Sequence, residues 1–346
     1  MSLHIGPVVV ATGPWTDPGW HVPLTVAGCD VVFGPSIDER PADRLSEEAL
    51  CALVAPADAI LVSSREQITE RVLDAARKAR IVAKATIGVE RIDIDAATAR
   101  GILVVNSPAP ENFVGLAEAV VGLIVSLAKR LIEKERRIRA GGWRDASTDG
   151  MVLAGRTVGI VGLGRVGSRV ARRLSGWETN LIGFDPYITP KTFRELGVRA
   201  VGWGELLAGS DVLTFHVPLT AETRAMMGRS ELESLRPGAL LINTSRGAVL
   251  DEEAVAEALL NNRLGAAALD VFEIEPLAES SPLRAVPGER LLLTPHSIGS
   301  SRASRRSGTR MAVEAILQAL SGRVPENVVN TEIIDRWLER WSQPLG

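Results

Sequence analysis

The sequence predicts an α/β protein built on two parallel sheets, one in each of two domains. Three observations carry this expectation. Short apolar runs alternate with helix-spaced segments along almost the whole chain, the rhythm of strands joined by crossover helices. At 346 residues and 46% hydrophobic content, the chain is too long for one ordinary core. The run from Arg156 to Asp185, RTVGIVGLGRVGSRVARRLSGWETNLIGFD, reads without forcing as strand, glycine turn, helix and second strand.

In order, Val8 to Ala11 is a short strand ended by Gly13 and Pro14, and the turn-rich WTDPGW that follows gives no clear element. Asp30 to Phe33 is a second strand, stopped by Gly34-Pro35, and Ser46 to Val54 reads as helix. Ala59 to Val62 is the third strand. Thr69 to Ala79 places Val72, Leu73, Ala76 and Ala79 on one helix face, with Thr69 as N-cap. Ile81 to Ala83, the loop Lys84 to Asp93, helix Asp95 to Arg100 and strand Ile102 to Val105 complete a small α/β domain. Asn106-Ser-Pro-Ala-Pro-Glu then breaks the pattern, and one long helix is expected from 112 to 140, small and apolar in its first half and charged in its second. A helix of that length should bridge two bodies or two subunits.

The glycine run opens the second unit. Thr157 to Val161 is the strand, and Gly162, Gly164 and Gly167 give G-x-G-x-x-G where it should turn into a helix running from Arg165 to about Ser175. The first glycine permits the tight turn, the second admits a pyrophosphate close to the backbone, and the third lets helix and strand pack. The helix N-terminus would face the phosphates. Asp185, closing strand Leu181 to Phe184, would accept hydrogen bonds from an adenosine ribose.

Beyond it, Val198 to Val201, Val212 to His216, Ala239 to Asn243, Ala266 to Leu269 and Leu291 to Thr294 read as strands. Trp203 to Leu207, Arg229 to Leu235 and Glu252 to Asn261 read as intervening helices. Arg302 to Leu320 is a final helix with Gly322 past its end, expected to pack back on the first domain. In the tail, Ile333, Ile334, Trp337, Leu338 and Trp341 have the spacing of a packed helix face.

A net charge of −3 gives no reason to expect nucleic acid or an anionic membrane as the main partner. The two cysteines, Cys29 and Cys51, lie far from any ligand-spaced motif, which argues against a disulfide scaffold or a zinc site and fits a reducing compartment. The first residues do not read as a signal peptide, and the apolar segment Phe113 to Ala128, interrupted by Glu118, reads as too short and too charged to span a bilayer. A soluble, cytoplasmic protein is expected.

In open parallel sheets, ligands lie outside the carboxyl ends of the strands. Four such ends are chemically unusual: His216-Val-Pro-Leu-Thr-Ala-Glu-Thr223, Asn243-Thr-Ser-Arg-Gly247, Asp270-Val-Phe-Glu-Ile-Glu-Pro276 and Pro295-His296-Ser-Ile-Gly299. Each has a bland alternative: His216 a turn histidine, Arg246 a surface arginine, one of Glu273 and Glu275 merely solvated, His296 a satisfied core histidine. Together, an arginine, a glutamate and a histidine supply what carbonyl reduction by a nicotinamide needs, with no metal required. The arginine holds a carboxylate and polarises the carbonyl, the histidine delivers a proton, and the glutamate orients the histidine.

These residues resemble the D-isomer-specific 2-hydroxyacid dehydrogenase family, which includes phosphoglycerate dehydrogenase and glyoxylate and hydroxypyruvate reductases. VGIVGLGRVG, HVPLTAET, LINTSRGAVLDEEAV, AALDVFEIEPL, LTPHSIG and GRVPENVVN occur in the family's order. GVERIDIDAATARGILVVNSP resembles its substrate-domain loop, and ENFVGLAEAVVGLIVSLAKRL its dimerisation helix. The resemblance implies two Rossmann-like domains: a doubly wound NAD-binding domain over 107–300, including the dimerisation helix 112–140, and a smaller flavodoxin-like substrate domain made of 1–106 and 301–330, followed by a helical tail, 331–346. It implies NAD as cofactor and a homodimer acting on a 2-hydroxy or 2-oxo acid. Arg246 would bind carboxylate and carbonyl, and His296, paired with Glu275, would be the acid or base. NAD contacts would come from Gly162, Gly164, Arg165, Val166, Gly167 and Asp185, from His216, Pro218 and Thr223, and from Thr244, Ser245, Asp270, His296 and Gly299. An acid at 185 implies NAD over NADP, whose 2′-phosphate would meet like charge. Ile87, Gly88 and Asn112 would contact the substrate. The chain departs from the family's pattern at Thr86-Ile-Gly-Val-Glu90, where G-V-G-x-D is usual, at Ala119, where histidine is usual, and at Ser63 before Ser64-Arg65, where phosphoglycerate dehydrogenases tend to carry arginine. Those departures leave substrate identity open. Phosphite dehydrogenase and NADH-binding transcriptional corepressors share the resemblance as alternatives, the latter with Arg302, Arg305, Arg306 and Arg310 facing an acidic partner.

Overall fold

Strand and helix alternate from the start of the computed structural model, which describes residues 6–13, 15, 17–34, 45–63 and 66–343. Pro14, Pro35, Ser64 and Arg65 lie outside the described residues. The chain divides into two units, Met1–Asn112 with Ser301–Gly346, and Phe113–Ser300.

The first unit contains β1 (Val8–Ala11), α1 (Val22–Val26), β2 (Asp30–Phe33), α2 (Glu47–Val54), β3 (Ala59–Val62), α3 (Glu70–Ala75), β4 (Ile81–Lys84), α4 (Ile94–Arg100) and β5 (Leu103–Val105). The strands pair in parallel in the order β2-β1-β3-β4-β5. This is the flavodoxin-like order, with its reversal beside β1. Three of these helices begin on side-chain caps: Ser46 accepts from the Ala49 amide, Thr69 from Val72 and Asp93 from Ala96. Each cap satisfies an amide that the first helical turn leaves without a partner. Helix α1, which follows the turn-rich stretch and which the sequence reading leaves without an element, has Pro23 in its first turn, where a missing N–H costs nothing.

The expected long helix is two helices, α5 (Pro110–Ala128) and α6 (Leu131–Arg139). Arg130 stands between them at φ 53°, a left-handed conformation that stops the first helix and turns the chain before the second. Starting at Pro110 makes α5 long and apolar enough, by length and composition, to cross a membrane, contrary to the expectation from Phe113. Its face of Ala117, Val120, Leu123, Ile124 and Leu127 is nevertheless buried in the core of the second unit with Val158 and Ile160.

The second unit continues with β6 (Thr157–Val161), α7 (Gly167–Leu174), β7 (Asn180–Phe184), α8 (Pro190–Glu195), β8 (Arg199–Ala200), α9 (Trp203–Gly209), β9 (Val212–Phe215), α10 (Arg229–Ser234), β10 (Ala239–Asn243), α11 (Glu252–Leu260), β11 (Leu264–Leu269) and β12 (Leu291–Leu293). Its parallel sheet runs β12-β11-β10-β9-β6-β7-β8. The order reverses between β6 and β9, the switch point where doubly wound sheets bind ligands. Separate apolar layers cover the two faces, one including Phe215, Leu241 and Leu259, the other Ile160, Val170 and Ile242. The strand expected at Val198 to Val201 contracts to β8, and α8 was not anticipated.

The chain then returns to the first unit as α12 (Arg302–Leu320) and α13 (Ile334–Trp341). Ala312, Ile316 and Ala319 are buried against that unit's sheet, beside Ile333 and Trp337 of the tail. The tail is therefore part of the first unit's core. Trp337 is fully buried and its indole donates to the Arg80 carbonyl at 2.8 Å. Asn330 secures the open edge of β5, accepting from the Val104 amide at 2.9 Å and donating to the Ile102 carbonyl at 3.0 Å.

Candidate active site

Strand β6 delivers its glycines where a parallel sheet should bind a dinucleotide. Gly162 has φ 82°, and a Cβ on it would lie 2.7 Å from the His216 carbonyl oxygen. A Cβ on Gly167 would lie 2.0 Å from the Gly162 carbonyl oxygen, so only glycine lets α7 start this close to its strand. Gly164, by contrast, faces open space. The turn thus has the three properties a pyrophosphate cradle needs: a left-handed bend, room at its tip and a helix N-terminus against it. Helix α7 begins at Gly167, with Val166 as its N-cap residue, not at Arg165. Arg165 is exposed, its guanidinium 5.1 Å from the Phe113 ring centroid.

Asp185, after β7, is fixed by two backbone amides: Leu163 donates to Oδ2 at 2.8 Å and Tyr187 to Oδ1 at 3.0 Å. Its carboxylate is preorganised beside the glycine turn, with lone pairs left for hydroxyl donors. After β9, His216 turns inward. Its Nε2 lies 3.1 Å from Thr214 Oγ1, and burial pushes its pKa down to about 3, so the ring is neutral and braces the turn. Pro218 and Thr223 close the same loop, the threonine hydroxyl donating to the proline carbonyl at 2.6 Å.

After β10, buried Asn243 organises the segment that presents Arg246. Its Oδ1 accepts from the Ser245 amide and hydroxyl, and its Nδ2 donates to the Arg246 carbonyl at 2.9 Å. Thr244 Oγ1 is buried and has no hydrogen-bond partner among the described residues. A buried hydroxyl without a partner is costly, and one at the carboxyl edge of the sheet, two strands from the one that carries the glycine turn, fits a site completed by a ligand.

After β11 and β12 come the two remaining ends. His296 Nδ1 lies 2.9 Å from both carboxylate oxygens of Glu275. That hydrogen bond raises the histidine's pKa above its ordinary value, against burial, with the charges of Glu275 and Asp270 helping and Arg246 opposing. The Arg246 guanidinium itself donates to the Ser245 carbonyl at 2.7 Å. His296 has φ 49°, a strained conformation for a non-glycine residue of the kind that concentrates at functional sites.

Asp270 does more than the sequence indicated. It is buried, accepts from Thr294 Oγ1 at 2.6 Å and from the Ser297 and Ile298 amides at 3.0 and 3.2 Å, and so holds the loop that carries His296. Burial raises its pKa against those hydrogen bonds. Gly299 ends the loop, its Cβ position 3.1 Å from that of Leu116. In the first unit, the Ile87 carbonyl accepts from Asn106 Nδ2 at 3.0 Å, which fixes the loop of Ile87 and Gly88 after β4, and Asn112 lies half-buried on α5. Among the described residues, no group of three or more histidines, cysteines, aspartates or glutamates could hold a metal.

Comparison with known proteins places this arrangement. The model of the D-isomer specific 2-hydroxyacid dehydrogenase, NAD binding domain, matches residues 121–297. The chain belongs to the D-isomer specific 2-hydroxyacid dehydrogenase family. It is 36% identical over 301 residues to a glyoxylate reductase of Korarchaeum cryptofilum, covering 86% of this chain and 89% of that protein. It is 34% identical over 313 residues to a D-3-phosphoglycerate dehydrogenase of Archaeoglobus fulgidus, covering 90% of this chain and 59% of that protein. The chain thus spans less than two thirds of the phosphoglycerate dehydrogenase's length. A solved structure from Thermus thermophilus superimposes with a TM-score of 0.83 at 31% identity, covering 93% of this chain and 99% of the other. As a member of this family, the second unit is an NAD-binding domain, and the glycine turn, Asp185 and the unpartnered Thr244 hydroxyl fit that cofactor.

Proposed function

We propose that the protein is an NAD-dependent oxidoreductase that interconverts a 2-oxo acid and a D-2-hydroxy acid. The observation that carries this reading is the His296–Glu275 pair, 2.9 Å apart at the carboxyl edge of the NAD-binding sheet, with Arg246 acting on the same histidine. NADH, when bound, would supply the hydride that the carbonyl carbon accepts. The Arg246 guanidinium holds the substrate carboxylate bidentately and polarises the carbonyl. His296, kept protonated by Glu275, donates its Nε2 proton to the carbonyl oxygen as that oxygen gains charge, and accepts it back in the reverse direction. Glu275 sets the ring's orientation through Nδ1.

The cofactor would be held by Gly162, Gly164, Val166 and Gly167 at its phosphates, Asp185 at the adenosine ribose, and Thr244, Ser245 and Asp270 further along the edge. Ile87, Gly88 and Asn112 are assigned to the substrate on the family resemblance. The reading includes a cytoplasmic homodimer. Its support is the exposed Val114, Leu131, Ile138 and Trp143 along α5, α6 and the following loop, an apolar set suited to a second copy, and light scattering on the purified chain tests it. The relatives favour neither phosphite oxidation nor a corepressor role. Purified protein should consume NADH with at least one 2-oxo acid from a small panel, and Arg246→Ala and His296→Ala should each remove that turnover while leaving NADH binding intact. Full turnover in both variants would overturn the assigned roles.

A further inference from the structure

The loop that presents Glu275 is held by groups the proposed reaction does not use. It leaves β11 at Asp270 and is tied at two points to the segment just after Arg246. At Gly247, a Cβ would lie 1.9 Å from the Phe272 carbonyl carbon, 2.2 Å from its oxygen and 2.4 Å from the Glu273 nitrogen, so the two backbones are in direct contact. At Glu252, the first residue of α11, Oε1 accepts the Glu273 N–H at 2.6 Å and Oε2 accepts the Ser281 hydroxyl at 3.5 Å. Between these anchors Glu275 folds back, its Oε1 accepting the Phe272 amide at 3.2 Å while it meets His296.

Charge gives Glu252 no reason to sit here. Burial raises its pKa, and Glu273 and Glu275 add repulsion that the Glu273 amide and Ser281 hydroxyl only partly offset. What the carboxylate offers the loop is a short hydrogen-bond acceptor, two residues from Glu275. An acid in the first turn also suits the helix dipole, but that role needs no contact with Glu273.

We propose that Glu252 is a positioning residue, which fixes the 272–275 loop through the Glu273 amide and so sets the Glu275–His296 hydrogen bond. The proposal rests on the reading of His296 and Glu275 as the acid and its orienting partner. His296 faces Glu275, Asp270 and Arg246, and Glu252 faces Glu273 and Glu275, so charge and geometry must be separated. Two variants do so. Glu252→Gln removes the charge but keeps an acceptor of the same reach; Glu252→Asp keeps the charge and the first-turn acid but draws the acceptor back by one methylene.

The experiment is a proton NMR titration of the histidine rings in the full chain, with the His296 signal assigned by its loss in His296→Asn, beside the pH profile of kcat/KM for 2-oxo acid reduction. Positioning predicts that Glu252→Asp and Glu252→Ala lower the His296 pKa by about half a unit or more and move the alkaline limb of kcat/KM down with it. Glu252→Gln should titrate as the wild type, and NADH affinity should hold throughout. A low value in Gln with a normal one in Asp would mean that charge alone matters, and wild-type titration in Asp and Ala would mean that Glu252 does not act on His296; either overturns the proposal. If Glu252→Ala fails to fold, the Asp and Gln pair decides. If the wild type reduces no 2-oxo acid, the functional reading falls, while the NMR titration still judges the positioning.

Discussion

Replacing Glu275 with glutamine tests the chemistry at its narrowest point. The side chain keeps its size, and an amide oxygen can still face His296 Nδ1, but the charge is gone. A hydrogen bond to a charged group contributes roughly 1.5–3 kcal/mol. The His296 and Glu275 side chains are 49% and 27% exposed, so solvent screening reduces this to about 1 kcal/mol. At about 1.4 kcal/mol per pH unit, the His296 pKa should fall by roughly 0.7 of a unit. The direction follows from the site: the Glu275 hydrogen bond is the largest influence holding this histidine's pKa up, so its loss moves the value down. Reduction of a 2-oxo acid needs the protonated ring, so activity is present below the His296 pKa and lost as pH rises through it. In Glu275→Gln the alkaline limb of kcat/KM, followed by NADH consumption, should therefore move to lower pH, with the NADH dissociation constant unchanged. An alkaline limb that stays in place would refute the pairing as the source of the histidine's basicity.

Three further outcomes concern the scaffold. Gly167→Ala forces a methyl group to within 2.0 Å of the Gly162 carbonyl oxygen; the variant should lose about 1–3 kcal/mol of stability and bind NADH measurably more weakly by fluorescence titration. Trp337→Ala empties a fully buried site and leaves the Arg80 carbonyl with only the Leu103 amide as donor, which should cost about 3–5 kcal/mol in chemical denaturation followed by circular dichroism. Lys84, at the end of β4, is buried with its ammonium on the Ser63 carbonyl and Glu66 nearby, and burial lowers its pKa from 10.5 to about 8. Between those values the unfolded chain binds the proton and the folded one does not, so stability should rise with pH across that window, by up to about 3 kcal/mol. Denaturant midpoints should show this rise in the wild type and lose it in Lys84→Met.

Local spacing announced much of this molecule. The glycine turn is legible because its three glycines fall within six residues at the end of one apolar run, and the cap at Thr69 because it satisfies an amide three residues on; the caps at Ser46 and Asp93 emerge only in the structure. Arg246, Glu275 and His296 can be singled out as chemistry at strand ends, but the meeting of Glu275 and His296 across separate strands needs the fold. What stayed hidden depends on distant partners. Asp270 was read as a cofactor contact, while in the structure it also binds the backbone of the His296 loop, 27 and 28 residues on. Glu252 opens a predicted helix, and nothing in the sequence places Glu273 above it. The break between α5 and α6 was invisible because Arg130 has no intrinsic preference for a positive φ, and Leu131 to Arg139 reads as a good helix that could have continued from the one before. The tail helix showed its apolar face, but the core that Trp337 fills had to be found in the fold.

The most direct measurement is NADH consumption by the purified chain against glyoxylate, hydroxypyruvate and other small 2-oxo acids, with Arg246→Ala and His296→Ala beside the wild type. Turnover on at least one acid, abolished in both variants while they still bind NADH, is the result the arrangement at the carboxyl edge predicts. NADH binding with no turnover on any 2-oxo acid, or turnover that survives both substitutions, would contradict it.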